Sequence, residues 1–169
     1  MRDPPERPWF PGLSRFYAAA AAPAETLMRV ALGLVLVPHG AGKLFGHDLV
    51  HTAQNFGHLG WPAPLTLAVV VGCLEFFGGL ALAAGLFTRV AAAMIAVEMA
   101  VICFVVLWPR WEWVHHGMEY PFLMGVFAFA FALRGGGAYA LDRVLGRALR
   151  PPRAPGEPTA GARSPISPR

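Results

Sequence analysis

A chain of 169 residues that is 56% apolar and only 14% charged is too oily for an ordinary soluble domain of its size. Its formal net charge of +4 reflects arginines crowded at the two ends, with Arg2, Arg7 and Arg15 at one and Arg134 through Arg169 at the other. No basic stripe interleaved with aromatics accompanies them, which excludes nucleic acid as a partner and leaves juxtamembrane arginines as the source of the basicity.

Residues 1–23 read as a cytoplasmic segment, rich in proline and arginine and then alanine, without a sustained apolar period. Its Trp9, Phe10, Phe16 and Tyr17 suit the headgroup level of a bilayer. Membrane spans are expected over 27–45, 64–87 and 90–108, each near the ~20 residues needed to cross ~30 Å of hydrocarbon. A fourth, 119–133, is shorter and reads either as a tilted or thinned crossing or as a helix buried against the others. Between the first two spans, His47 to Gly60 is a loop or a short interfacial helix. Pro64 suits a helix start, where its missing N–H costs nothing. After the glycine run 135–137, residues 138–149 set Leu141, Val144, Leu145 and Leu149 on one side and arginines on the other, the pattern of a helix lying along a membrane surface. Residues 150–169 form a proline-rich tail too poor in apolar residues to fold. The expected architecture is all-α: a four-helix transmembrane bundle over 24–149, including a short C-terminal amphipathic helix, followed by a disordered tail.

Lysine and arginine placement sets the orientation. With the N-terminus inside, Arg2, Arg7, Arg15, Arg89 and the C-terminal arginines are cytoplasmic, leaving Lys43 and Arg110 toward the outside. A multi-pass protein of the inner membrane with both ends cytoplasmic follows, and Trp61, Trp108, Trp111 and Trp113 then form an outer aromatic belt.

Charge near the bilayer centre costs at least ~2.5–3.5 kcal/mol per group, so Arg29, His39, Lys43, Glu75 and Glu98 call for an explanation. A rotation of 100° per residue puts Arg29, Gly33, Leu36, Gly40 and Lys43 on one stripe of the first span, with His39 at its border. In the second span Gly72, Glu75, Gly79 and Ala83 share a face, small residues with a carboxyl set among them. The simplest arrangement holds Glu75 inside the bundle against His39, Lys43 or Arg29. Such a cluster either marks a site or only fixes helix register. Glu98, alone in an apolar run, is either bonded to a neighbouring helix or part of that site. Cys73 and Cys103 lie about 160° and 140° around their helices from Glu75 and Glu98, which reads as packing and not thiol chemistry. His115 and His116 with Glu112 and Glu119 lack the two-histidine spacing of a metal site, so no metal is expected.

Arg29, the run Pro38-His39-Gly40-Ala41-Gly42-Lys43-Leu44-Phe45-Gly46, the segment Leu74-Glu75-Phe76-Phe77-Gly78-Gly79-Leu80, then Gly85-Leu86-Phe87-Thr88-Arg89 and Gly135-Gly136-Gly137-Ala138-Tyr139-Ala140-Leu141-Asp142 together resemble the DoxX family of small bacterial and archaeal membrane proteins. The resemblance covers about Leu27 to Asp142 in order. It implies a four-helix membrane subunit tied to redox chemistry, since members include a subunit of an archaeal thiosulfate:quinone oxidoreductase and proteins of oxidative-stress complexes. The chain has no haem-ligand motif, no dinucleotide or flavin fingerprint and no CxxC, so it is expected to act at most as a subunit of a quinone-linked oxidoreductase, without a covalently bound cofactor.

The expected function is therefore a redox-associated membrane subunit whose partners are the lipid bilayer, a quinone and a partner redox protein. Glu75 and His39 would be the polar partners of the quinone, with Lys43 and Arg29 supplying positive charge. The alternative is a non-catalytic anchor or scaffold of an oxidative-stress complex, or a small-solute carrier.

Overall fold

The computed structural model describes residues 10–148, and among these there are helices and turns but no strand. The disordered tail expected over 150–169, the first nine residues of the N-terminal segment and Leu149 lie outside the described residues.

Helix α1 runs Ser14–Phe45, 32 residues, and starts well before the expected span at Leu27. The alanine run Ala18–Ala22 supplies helix propensity where apolar periodicity is missing, and the helix continues through Pro23 and Pro38. Helix α2, Asp48–His58, settles the choice between loop and short helix in favour of a helix. Helix α3, Pro64–Ala84, opens on its proline as expected. It closes three residues before Phe87, because Gly85 takes the left-handed conformation (φ 73°) that ends a helix. Helix α4, Thr88–Leu107, begins two residues ahead of the expected Val90. The cause is a distant side chain: the Asp142 carboxylate accepts hydrogen bonds from the Phe87 and Thr88 amides at 2.6 and 2.8 Å, capping the new helix. Helices α5, Glu119–Arg134, and α6, Leu141–Ala148, complete the described chain. Helix α6 starts at Leu141 and not at 138, since Gly137 sits at φ 77° in the preceding turn.

Among the described residues three helices, α1, α3 and α4, are long and apolar enough to cross a membrane. Helix α5 has 16 residues, about 24 Å at 1.5 Å per residue, which is short of the length expected for an independent fourth span. It lies along α4 and buries Met124, Ala128 and Phe131.

The core is a layer of Leu32, Leu36, Leu82, Ile95, Met99, Met124 and Phe131 drawn from α1, α3, α4 and α5. Glycines set the closest approach. A methyl group at Gly40 would run into the backbone of Phe76 and Gly72, and one at Gly33 into Gly79 and Ala83, so α1 and α3 touch backbone to backbone. Helix α1 stops where Lys43 meets Gly72, eight residues into α3 and so roughly 12 Å from its first residue. Helix α2 occupies the level above, packed on α3, until a methyl at Gly57 would touch Pro64. The space left beyond the end of α1, between α2, α3 and α4, is where the site lies.

Candidate functional site

Glu75 sits in a π-helical turn of α3, Leu74–Gly78, a wide turn that recurs at functional sites. It is 5% exposed, and its Oε2 accepts a hydrogen bond from the Lys43 Nζ at 2.5 Å. The pair forms because two small-residue faces come together: Gly40 and Gly72 let the backbones close up, and Lys43, three residues on from Gly40, then reaches across to Glu75. Glu98 reaches the same place from α4. It is 8% exposed, and among the described residues neither of its carboxyl oxygens has a hydrogen-bond partner. An unsatisfied carboxyl at this depth is costly, so it demands an explanation that packing does not supply.

These three residues line a cavity of about 590 Å³. The other walls are apolar, from Val70, Val71 and Leu74 of α3 and Met94, Val97, Val101, Ile102 and Val106 of α4. Helix α2 contributes Thr52, Asn55 and Phe56, and Trp61 follows it, stacked on Phe56 with ring centroids 4.9 Å apart. Chemically the arrangement offers an ammonium donor, a carboxylate that keeps it aimed, and a second carboxyl free to bond an occupant.

Of the five residues singled out from the sequence, Lys43, Glu75 and Glu98 are brought together here. His39 is not. It is exposed on the outside of α1, and the expected contact with Glu75 does not form. Helical phase gives the reason, because Gly40 is the residue pressed against α3 and His39 is turned 100° away from it. Arg29 is 1% exposed but belongs to the other end of the bundle, 14 residues and about 21 Å along α1 from Lys43. There its Nη1 donates to the Leu82 and Ala83 carbonyls at 2.6 and 2.5 Å, the last carbonyls of α3.

Around Arg29 the chain builds a second polar cluster that motif reading did not place. Glu25 pairs with Arg134 (Nε–Oε1 2.8 Å), and a methyl at Gly137 would touch the Glu25 carboxylate. The Asp142 amide donates to the Gly85 carbonyl at 2.9 Å while its carboxylate caps α4. Burial alone would push the Asp142 carboxyl up. Hydrogen bonds from Thr88 and Phe87, with the Arg29 charge nearby, outweigh burial and hold it below the ordinary carboxylate range. The Gly85 and Gly135–Gly137 segments that looked like separate signatures are thus two sides of one joint. Sequence reading also missed Thr52, Asn55, Phe56 and Trp61; the available signal was the polar pair Thr52 and Asn55, three apart beside an aromatic residue, which is unusual between two spans.

Cys103 is buried with its Sγ 3.8 Å from the Met118 carbonyl, and Cys73 is half-buried. At the loop between α4 and α5, the exposed His115 Nδ1 lies 2.9 Å from the Glu112 carboxylate.

Long apolar helices, glycine-mediated backbone contact and an ion pair closed inside the bundle define a small helical membrane protein with an internal polar site. Comparison with known proteins specifies it further. The DoxX family model matches residues 24–108, and the chain belongs to the DoxX family. An uncharacterised protein of Haemophilus influenzae is 30% identical over 123 residues, covering 68% of this chain and 85% of that one. A Bacillus subtilis protein named "Putative oxidoreductase CatD" is 30% identical over 118 residues, covering 69% of this chain and 82% of its own length. No solved structure matches. The matched segment holds Arg29, Lys43, Glu75 and Glu98, whereas Asp142 lies beyond it.

Proposed function

We propose that the protein is a membrane-embedded, redox-associated subunit whose cavity takes the headgroup of a quinone. The observation that carries this reading is the meeting of the Lys43–Glu75 pair and the unpartnered Glu98 at one level of a cavity of about 590 Å³ whose other walls are apolar except for Thr52 and Asn55. That volume falls in the ~300–1,000 Å³ typical of small-molecule sites, with apolar walls and few polar groups. A bound quinone supplies two-electron, two-proton chemistry; the electrons come from a partner redox protein. Lys43 orients a carbonyl oxygen by donating to it, Glu75 keeps the ammonium aimed, and Glu98 takes or gives a proton. Helix α2 and Trp61 limit water at the outer end. The name of the Bacillus subtilis relative supports an oxidoreductase association.

In this reading α5 is the fourth crossing, accommodated by a locally thinned bilayer. Both termini then face the cytoplasm of a cell with an inner membrane. The exposed Arg89, Arg134, Arg143 and Arg147 at one end of the bundle support this orientation. A second reading, a membrane anchor for a soluble partner of an oxidative-stress complex, is favoured by the exposure of Arg143 and Arg147 on α6.

The test is purification of the full chain in mild detergent, followed by identification of co-extracted quinone and retained proteins. Quinone is expected with the wild type and absent from Glu75→Gln. A wild-type protein that carries no quinone yet holds a soluble partner would replace the first reading with the second.

A further inference from the structure

The shape of the cavity deepens the quinone reading, on which this inference rests, by specifying the rest of the ligand. Along α4 the lining residues Met94, Val97, Glu98, Val101, Ile102 and Val106 fall on one stripe, twelve residues and so about 18 Å from end to end. Facing them on α3 are Val70, Val71 and Leu74. The space is therefore a trench, much longer than a single ring, with its charged groups gathered at one level and the neutral Thr52 and Asn55 contributed by α2.

The rim decides where the trench opens. Val70 is 55% exposed, Met94 51% and Val97 65%, all on the flanks of helices apolar enough to span a membrane. These residues meet acyl chains, so this side of the trench faces hydrocarbon. At the outer end the lining comes from α2 and the stacked Phe56 and Trp61. A water-borne solute would have to cross an apolar rim to reach Lys43 and Glu98, whereas a lipid-dissolved one is already beside it.

We infer that the ligand is an amphiphile with a long apolar tail, which enters sideways from the bilayer past Val70, Met94 and Val97 and lies with its tail in the apolar part of the trench while its head bonds Lys43 and Glu98. The complementarity is chemical: a polar level joined to an apolar trench matches a polar head joined to a hydrocarbon chain. A phospholipid acyl chain fits only the apolar part and leaves Glu98 without a partner.

The experiment uses the full chain in phosphatidylcholine nanodiscs and follows quenching of tryptophan fluorescence, with Trp61 lining the cavity. Two probes are compared: a benzoquinone with a ten-carbon tail and the same head without one. Affinities are expressed against concentration in the bilayer, so that partitioning alone contributes nothing. The tailed probe is expected to bind at least tenfold more tightly. Val97→Phe, a change at an exposed rim position that adds no tryptophan to the readout, should weaken the tailed probe at least fivefold more than the bare head. Met94→Phe serves the same purpose if the first variant does not fold. Equal affinity of the two probes, or equal loss of both in the variant, would overturn the tail assignment while leaving the quinone reading in place. Decane, which has no head, displacing the tailed probe at equal concentration in the bilayer would make the trench a slot for hydrocarbon alone, which also overturns the inference. Failure of both probes to bind the wild type would sink the quinone reading with it.

Discussion

The bundle contains two polar clusters, one at an end and one near mid-height of α3 and α4, and they are built on opposite principles. At the end that carries Arg89 and Arg134, Arg29 ties down the last carbonyls of α3, Glu25 holds Arg134, and Asp142 caps α4 while its own amide bonds Gly85. Almost every group there is bound to a different element, so the cluster works as a lock joining the α3–α4 turn to α1 and to the approach to α6. At the other level Lys43 and Glu75 bind each other, and Glu98 stands beside a cavity with no partner among the described residues. Single atoms of the lock, Arg29 Nε among them, also lack a hydrogen bond, but each of its charged side chains is held by at least one partner, whereas at the site the whole Glu98 carboxyl has none among the described residues. The difference separates residues that the motifs place side by side in the sequence but that have distinct tasks.

The largest effect should come from the lock. Arg29→Leu removes the guanidinium from two buried carbonyls and from the neighbourhood of Asp142 and Glu25, and loss of one partner in such a buried network costs about 3–5 kcal/mol. Thermal unfolding in detergent should register this as a large drop in Tm or as failure to accumulate folded protein. A change below about 1 kcal/mol, the range of an exposed ion pair, would show that the Arg29 cluster is not a lock.

Glu98 should behave in the opposite sense. Glu98→Leu removes two buried oxygens that have no partner, so stability should rise by about 1–3 kcal/mol, the desolvation cost of an unsatisfied group. The same variant should lose quinone from the purified protein, a trade of function for stability expected where a site is held in an unfavourable state. Measuring Tm and bound quinone together sharpens the contrast. If Glu98→Leu is destabilised as Arg29→Leu is, Glu98 is a structural member of the bundle and the two clusters do not differ.

Much of this was legible from residue order, for reasons that differ by element. Helices α3 and α4 announce themselves by unbroken apolar length, and Pro64 marks the start of α3 through local backbone chemistry, whereas its close before Gly85 came short of the expected Phe87. The Lys43–Glu75 pair was accessible because both lie on small-residue faces whose phase is fixed by 100° per residue. His39 was misplaced because it sits on the border of its stripe, where phase alone does not decide whether a side chain turns toward α3 or away. The start of α4 at Thr88 was invisible to local reading, since its cap is supplied by Asp142, 54 residues away. The cavity itself was equally hidden: it exists because α1 ends early beside α3, a fact about relative height that no periodicity encodes.

The smallest effect, and the one that tests how the lock is held, concerns Asp142. Its carboxyl is depressed in the folded protein below the ordinary 3.8. A group depressed on folding contributes stability that is fully present above its unfolded value and is lost as pH falls through its folded value. Wild-type stability should therefore be insensitive to this group near neutrality and decline below about pH 4, where the unfolded chain takes up the proton first. Asp142→Asn keeps one acceptor for the α4 amides but loses the second and the charge, at a cost of about 1 kcal/mol near neutral pH. Since the variant cannot titrate there, the gap between the two proteins should close as the solution is acidified. A gap that stays constant from pH 7 to pH 3 would mean that the amides need only an oxygen at that position, and that charge plays no part in joining α6 to the head of α4.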